Sequence, residues 1–251
     1  ITTDLDLGAA NIQSFLRSDA TLNGSVLGFS GSMEGQITSD TSPTITMNSI
    51  SRHKNGGLYP LLQSASNDAV SFKNLTIDGY MYYHLGSYNT TTKKSEGGSG
   101  AVAARAEGSC TFDGIIIETS IKGDLYYSLN EEMKDGKVSN ERMFAHGGLI
   151  GEYQLKGGNL NVSNCTFQSK ITTIRSSNFV GGMIGRVETS LGENDVVGNI
   201  NVSNSTLSTT ITADTTNYMI GYKSASKDKF HARTAGLIAF IGNSYQNVSG
   251  I

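Results

Sequence analysis

The chain has 251 residues, a net charge of -3 and only 16% charged residues, against roughly 25% in an average soluble domain. Its 30 Gly, 2 Pro and 0 Trp accompany heavy use of Ser, Thr and Asn, a balance that suits strands and tight turns and disfavours a helical bundle. The 19 Lys and Arg form no dense block, so the electrostatic footprint of nucleic-acid or anionic-membrane binding is missing and neither partner is expected.

In chain order, the opening Ile1-Thr2-Thr3-Asp4 is neither a basic leader nor an initiator Met, and no run approaches the roughly 18 apolar residues of a membrane span. The expectation is a processed or excised piece of a larger polypeptide or assembly, without membrane insertion in this stretch. Asp6 to Arg17, with Ile12, Phe15 and Leu16 apolar, has the spacing of a short amphipathic helix, suited to cap the open end of a stack of strands. FSGSMEGQ (Phe29 to Gln36) and TITMNSI (Thr44 to Ile50) read as two lead-in strands. Residues 1–50 are therefore expected to form an N-terminal cap, and residues 51–251 one continuous domain with loop insertions.

That domain is defined by a repeat. LNVSNCTFQSKIT (Leu160 to Thr172) recurs as INVSNSTLSTTIT (Ile200 to Thr212), with weaker copies at Val70 to Met81 and Cys110 to Ile121 and a frayed one at Asn243 to Ile251. A glycine-rich marker precedes each copy: GGLYPLL from Gly56, GSGAVAA from Gly98, GGLIGEY from Gly147, GGMIGRV from Gly181 and AGLIAFI from Ala235. Two markers alternating in fixed order at unequal spacing describe a solenoid whose repeats stack and whose insertions leave on the outside. The expected fold is all-β, a right-handed parallel β-helix of about five irregular coils, each of three short strands, with the marker opening a closely packed strand. Asn74, Gly114, Asn164, Asn204 and Asn247 would stack at one sharp bend, because Asn and Gly tolerate the left-handed backbone that such a bend requires.

The order F-x-G-x-x-x-G (Phe29 to Gly35), an I-x-x-I-like strand, and GGL-[IVY]-G blocks alternating with N-[LVCS]-x-[ILF] resembles the Gly-Leu-rich repeat called the GLUG motif. That repeat occurs in large bacterial surface proteins, among them adhesins and the non-catalytic portion of IgA-cleaving metallopeptidases. The resemblance covers most of residues 29–251; the chain departs from it at GSGAVAA and AGLIAFI and in its inserts around 82–97, 122–143 and 213–233. It implies an extracellular or cell-surface scaffold, and the function expected is a secreted structural or adhesive module that offers its loops to a glycan or to a host or neighbouring surface protein.

Chemistry is sparse. His53, His84, His146 and His231 are scattered without an H-E-x-x-H helix, so no metal centre, cofactor site or catalytic residue is assigned; His146, before a Gly-Gly, reads as a turn residue. Cys110 and Cys165 fall at different corners of the repeat, which suits two small buried hydrophobes, a disulfide being the other reading. Asp78, Asp113 and Glu118 are the candidate carboxylates for an alternative function, a polysaccharide lyase or hydrolase on a β-helix; a further alternative is the spacer of a larger surface peptidase. The Thr-rich tract at Thr206 to Thr216 is not repeated upstream, which argues against ice binding. The best ligand candidates are Tyr80, Tyr82 and Tyr83, with Tyr126 and Tyr127 at a comparable place in the next repeat. Adjacent tyrosines on a strand cannot all point inward, and exposed ones bind glycans or protein surfaces at low entropic cost, although stacked tyrosines also stabilise solenoids. Eight Asn-x-Ser/Thr sequons (Asn23, Asn74, Asn89, Asn161, Asn164, Asn201, Asn204, Asn247) largely reflect turn chemistry in a Ser/Thr-rich chain. In a eukaryotic secreted protein Asn89 and Asn74 would carry glycans.

Overall fold

A computed structural model describes residues 1–7, 21–22, 25–26, 28–51, 55–64, 68–84, 87–89, 94–96, 98–124, 144–155, 157–174, 178–189, 198–214 and 232–242. All regular structure among them is β, and almost all of the pairing is parallel. Each repeat contributes in turn to four sheets. Sheet I comprises Asn55–Gly56, Gly98–Ser99, Phe144–Gly147, Asn178–Gly181 and Ala232–Ala235, and sheet II comprises Tyr59–Gln63, Ala103–Glu107, Ile150–Gln154, Ile184–Glu188 and Ile238–Gly242. Sheet III comprises Ser32–Glu34, Val70–Lys73, Cys110–Asp113, Leu160–Ser163 and Ile200–Ser203. Sheet IV runs from Leu5–Asp6 through Thr44–Ser51 and Thr76–His84 to three broken strands, Ile116–Ile117 with Ser120–Asp124, Thr166–Phe167 with Lys170–Ile174, and Thr206–Leu207 with Thr210–Asp214. The architecture is solenoid-like, with successive repeats side by side.

Register explains why equivalent residues resemble one another. Val70 pairs with Cys110, Cys110 with Leu160 and Leu160 with Ile200, while Ile45, Ile77, Ile117, Phe167 and Leu207 form the corresponding column of sheet IV. Parallel strands lie about 4.8 Å apart, so like side chains stack directly on like. Phe72 stacks on Phe112 at a centroid distance of 5.6 Å and an interplanar angle of 11°, and Tyr59 closes on Phe72 edge-on at 5.9 Å. Alternate residues point inward: Val70, Phe72, Leu75, Ile77 and Met81 are wholly buried, as are Cys110, Phe112, Ile115 and Ile117.

Several details differ from expectation. A full repeat holds five strands, as in Phe144–Gly147, Ile150–Gln154, Leu160–Ser163, Thr166–Phe167 and Lys170–Ile174, not three. The glycine marker does not open a strand: Gly147 ends one and Ile150 begins the next, so Gly148 and Leu149 turn the corner. Gly98 pairs with Asn55 and Ala145, so GSGAVAA is offset and Gly100, two residues on, takes the place of Gly147. Of the helix expected from Asp6 to Arg17, Asp6 lies in a strand paired with Thr46, Leu7 donates its amide to the Thr46 carbonyl, and residues 8–17 lie outside the described residues. In the 82–97 insert, Ser87–Asn89 and Lys94–Glu96 form an antiparallel hairpin. Only 122–124 and 213–214 with 232–233 are described in the other two inserts, and all of these lie in strands.

The corners hold the closest approaches. A Cβ on Gly148 would strike the Gly182 carbonyl of the next repeat, and one on Gly182 would strike Gly236. Opposite this corner, sheet IV carries small polar residues inward: Thr119 and Ser169 are wholly buried with hydroxyls 3.4 Å apart, and Thr209 donates to the Gly182 carbonyl at 3.3 Å. Replacing Phe112 with Ala removes the centre of the aromatic stack and is expected to cost about 3–5 kcal/mol; equilibrium urea unfolding of the variant against the parent measures it.

Candidate functional site

Outward positions of sheet IV are mostly polar. One column runs Asn48, Tyr80, Ser120, Lys170 and Thr210. Tyr80 is 39% exposed whereas the next residue, Met81, is wholly buried, so the period-two alternation brings the first tyrosine of the cluster outward. Tyr82 and Tyr83 lie in the same strand, in register with Lys122 and Gly123; their side chains, and all of Tyr126 and Tyr127, lie outside the described residues. Beside Tyr80 runs a second column. The Glu118 amide donates to the Ile77 carbonyl at 2.9 Å, and the Gln168 amide to that of Ile117 at 2.8 Å, which places Asp78, Glu118 and Gln168 at matching positions of successive repeats, Glu118 and Gln168 in the breaks of their strands. Asp78 Oδ1 accepts the Gly79 amide at 2.5 Å.

Asp113 is not part of that surface. It ends a sheet III strand, where its Oδ1 accepts hydrogen bonds from Ser163 Oγ at 2.7 Å and Asn164 Nδ2 at 2.8 Å, both from the following repeat. These two bonds, aided by Lys73, hold its carboxyl below the usual carboxylate range against a small opposing effect of burial. Such a group serves as a fixed hydrogen-bond acceptor and is poorly suited to act as a general acid near neutrality.

The adjoining bend is a column of left-handed backbone: φ is 53° at Asn74, 63° at Gly114, 54° at Asn164 and 47° at Asn204. The amides of Asn74, Gly114 and Asn164 donate to the carbonyls of Asp113, Ser163 and Ser203 respectively. A Cβ at Gly114 would come within 2.7 Å of Asn74 Oδ1. Asn247 lies outside the described residues. Nearby asparagines bond along the stack: Nδ2 of the sequon residue Asn201 donates to Oδ1 of Asn161, another sequon residue, at 2.9 Å, and Asn159 Oδ1, outside any sequon, accepts the Asn199 amide at the same distance. Asn89 lies in the hairpin, but its side chain is outside the described residues.

Both thiols are free and buried, so the disulfide alternative fails. Cys110 stands in the Val70–Leu160 column of sheet III, while Cys165 follows the Asn164 bend. Burial, with Glu107 adding to it, pushes the Cys110 thiol up to about 12, and burial also raises Cys165; neither is a nucleophile near neutral pH. His146 is a strand residue and not the turn residue expected: it is buried within Phe144–Gly147, with Nδ1 2.8 Å from Ser99 Oγ. His53 and His231 lie outside the described residues, and His84 ends a sheet IV strand. Among the described residues, no group of three or more His, Cys, Asp or Glu is placed to hold a metal ion, and no helix is long and apolar enough to cross a membrane.

One constellation escaped the sequence reading. In sheet II, Arg105 pairs with Glu152 and Glu152 with Arg186, so charges alternate along the stack. Arg105 Nε lies 3.7 Å from Glu152 Oε1, Glu152 Oε2 accepts from Arg186, and the Arg186 guanidinium lies 5.8 Å from the Phe179 ring centroid, with Phe179 stacked on Phe240 at 4.7 Å. Placing Gly100 with Gly147 would have revealed the alternation, since all three residues then stand at one marker position. A charge ladder covered by an aromatic pair holds strands in register.

No protein-family model, curated protein or solved structure matches the chain. Because the Asp113 carboxyl is depressed in the folded state, its stabilisation is present above the ordinary carboxylate range and is lost as pH falls through the depressed value. Urea midpoints measured from pH 6 down to about pH 3 are expected to fall less steeply for Asp113→Asn than for the parent.

Proposed function

We propose that this chain is a non-catalytic adhesive or structural module of a secreted or cell-surface protein, built as a right-handed parallel β-helix of about five irregular coils behind an N-terminal cap. The observation that carries this reading is the outward face of sheet IV, where exposed Tyr80 stands among hydroxyl, amide and charged side chains at regular strand spacing. Five strands about 4.8 Å apart span roughly 20 Å, the length of a short oligosaccharide lying along the stack. A phenol ring supplies a stacking platform of little conformational freedom, and the neighbouring polar groups supply hydrogen bonds to sugar hydroxyls. The GLUG-like order of motifs accords with such a surface scaffold, and right-handed connections are the strong preference for parallel strands.

A carbohydrate-active enzyme is the second reading, favoured by the adjacency of Asp78 and Glu118 on that same face. Two neighbouring carboxylates are the minimum equipment for acid–base work on a glycosidic linkage. Held acceptors such as Asp113 do not add to it.

A glycan and matrix-protein array probed with the parent, Tyr80→Ala and Thr111→Ala separates the readings, Thr111 lying outward on a different sheet. The adhesive reading predicts specific binding without sugar release, weakened about tenfold or more by Tyr80→Ala and unchanged by Thr111→Ala. Turnover abolished by Glu118→Gln would establish the enzyme instead, and silence across the array would contradict the adhesive reading in favour of a spacer.

A further inference from the structure

We infer that the ligand of the sheet IV face is an acidic glycan, its carboxylate or sulfate group held by Lys170 and Lys122 with Tyr80 stacked against a neighbouring sugar ring. Ser120 and Lys122 on one strand stand against Lys170 and Thr172 on the next, so two ammonium groups and two hydroxyls occupy alternate corners of one rectangle. Strands about 4.8 Å apart, with residues i and i+2 roughly 7 Å apart along each, put the two lysine Cα atoms about 8 Å from one another. All four side chains point outward, because the residues that alternate with them, Ile121 and Ile171, are buried. Thr210 and Thr212 continue the two columns on the following strand, and Tyr80 stands beside Ser120 on the preceding one. Lys170 is therefore two strands, about 10 Å, from the stacking ring.

Charge changes sign along the face. Asp78 and Glu118 hold one matching position in two successive repeats, and Gln168 and Ser208 take it in the next two, where Lys170 supplies a positive charge one column away. Lys170 is exposed and forms no salt bridge among the described residues. Two ammonium groups about 8 Å apart repel one another, and a single anion seated between them offsets that repulsion and is attracted by both. An ammonium is a compact charge with three donors, which suits an anionic oxygen of any orientation, and the Ser120, Thr172 and Thr210 hydroxyls donate to its remaining oxygens or to ring hydroxyls. At the other end Asp78 and Glu118 accept hydrogen bonds from uncharged sugar hydroxyls and repel a second anion. The face therefore gives the ligand a direction, with its acidic group over the lysines and neutral hydroxyls over the carboxylates. This inference rests on the glycan-binding reading and narrows it to one class of ligand.

The experiment is a glycan array on which each uronic-acid oligosaccharide is printed beside its uncharged methyl ester and each sulfated one beside its unsulfated parent, probed with the 251-residue chain and with Lys170→Gln, Lys73→Gln and Tyr80→Ala. The expected result is binding about tenfold or more tighter to an acidic member than to its uncharged twin, a preference that shrinks as salt is raised. Lys170→Gln is expected to abolish the preference, whereas Lys73→Gln, which removes an exposed charge from sheet III, keeps it. Tyr80→Ala weakens acidic and uncharged members alike. Whether uronates or sulfates bind more tightly identifies the anionic group. Binding that is equal for the twins, or stronger for the uncharged one, overturns the inference and leaves the glycan-binding reading in place so long as Tyr80→Ala still weakens it. A preference for acidic members that survives Lys170→Gln also overturns the inference, by locating the anion elsewhere. Silence across every pair overturns both.

Discussion

The structure depends on one constraint: each repeat must lie against the next with like residues in register, at backbone separations that leave no room for side chains at the glycine corners. Parallel pairing alone sets strands about 4.8 Å apart, but the corner joining sheet I to sheet II brings carbonyls against Cα atoms. A Cβ at Gly100 would meet the Leu149 carbonyl at 2.5 Å, and one at Gly147 the Met183 carbonyl at 2.6 Å. The glycines that make this approach possible recur because the corner recurs. Once the corner is fixed, the inward columns of Phe72 and Phe112, of Val70, Cys110 and Leu160, and of Ile77, Ile117 and Phe167 follow as its consequence.

Interior and surface use the same periodicity for different ends. Inward, stacking like on like gives contiguous apolar burial, worth about 1.5–3 kcal/mol for each large side chain, and admits Thr119 and Ser169 only opposite the glycine corner, where space is short. Outward, the same stacking lines up groups that bond along the axis: Asn161 with Asn201, Asp113 with Ser163 and Asn164, Arg105 with Glu152 and Glu152 with Arg186. Each such bond crosses from one repeat to the next and opposes slippage by a residue, which would turn every buried side chain to solvent. Sheet IV leaves Tyr80 at its outer face, and a regular polar array of that kind is what a rigid scaffold offers to a ligand.

Much of this was legible in the sequence where two copies are nearly identical. The likeness of residues 160–172 to 200–212 gave the register that pairs Leu160 with Ile200 and Thr172 with Thr212, and Asn at Asn74, Asn164 and Asn204 marked the left-handed bend because few other side chains tolerate that backbone. The corner was less legible. Gly-Gly-Leu signals close approach without saying whether the chain is starting a strand or turning between two, and GSGAVAA offers glycines at both Gly98 and Gly100, of which only register with Gly147 selects the second. The Arg105, Glu152 and Arg186 ladder stayed hidden behind that offset. Tyr80 stood out because a run of aromatic residues conflicts with strict alternation, whereas the burial of His146 has no local signal: it arises from Ser99 on the neighbouring strand, distant in sequence.

The most direct test of the stacking constraint is a matched set of substitutions in one column, Gly148→Ala, Gly182→Ala and Gly236→Ala, followed by urea unfolding of each at the same protein concentration. Gly148 and Gly182 each face a backbone carbonyl of the next repeat, while the nearest atom to a Cβ on Gly236 is a Leu207 methyl at 3.6 Å. The account predicts that the first two lose about 1–3 kcal/mol or more while the third stays within about 0.5 kcal/mol of the parent. Equal tolerance at all three positions would contradict it, because the repeats would then not be in backbone contact at the corner.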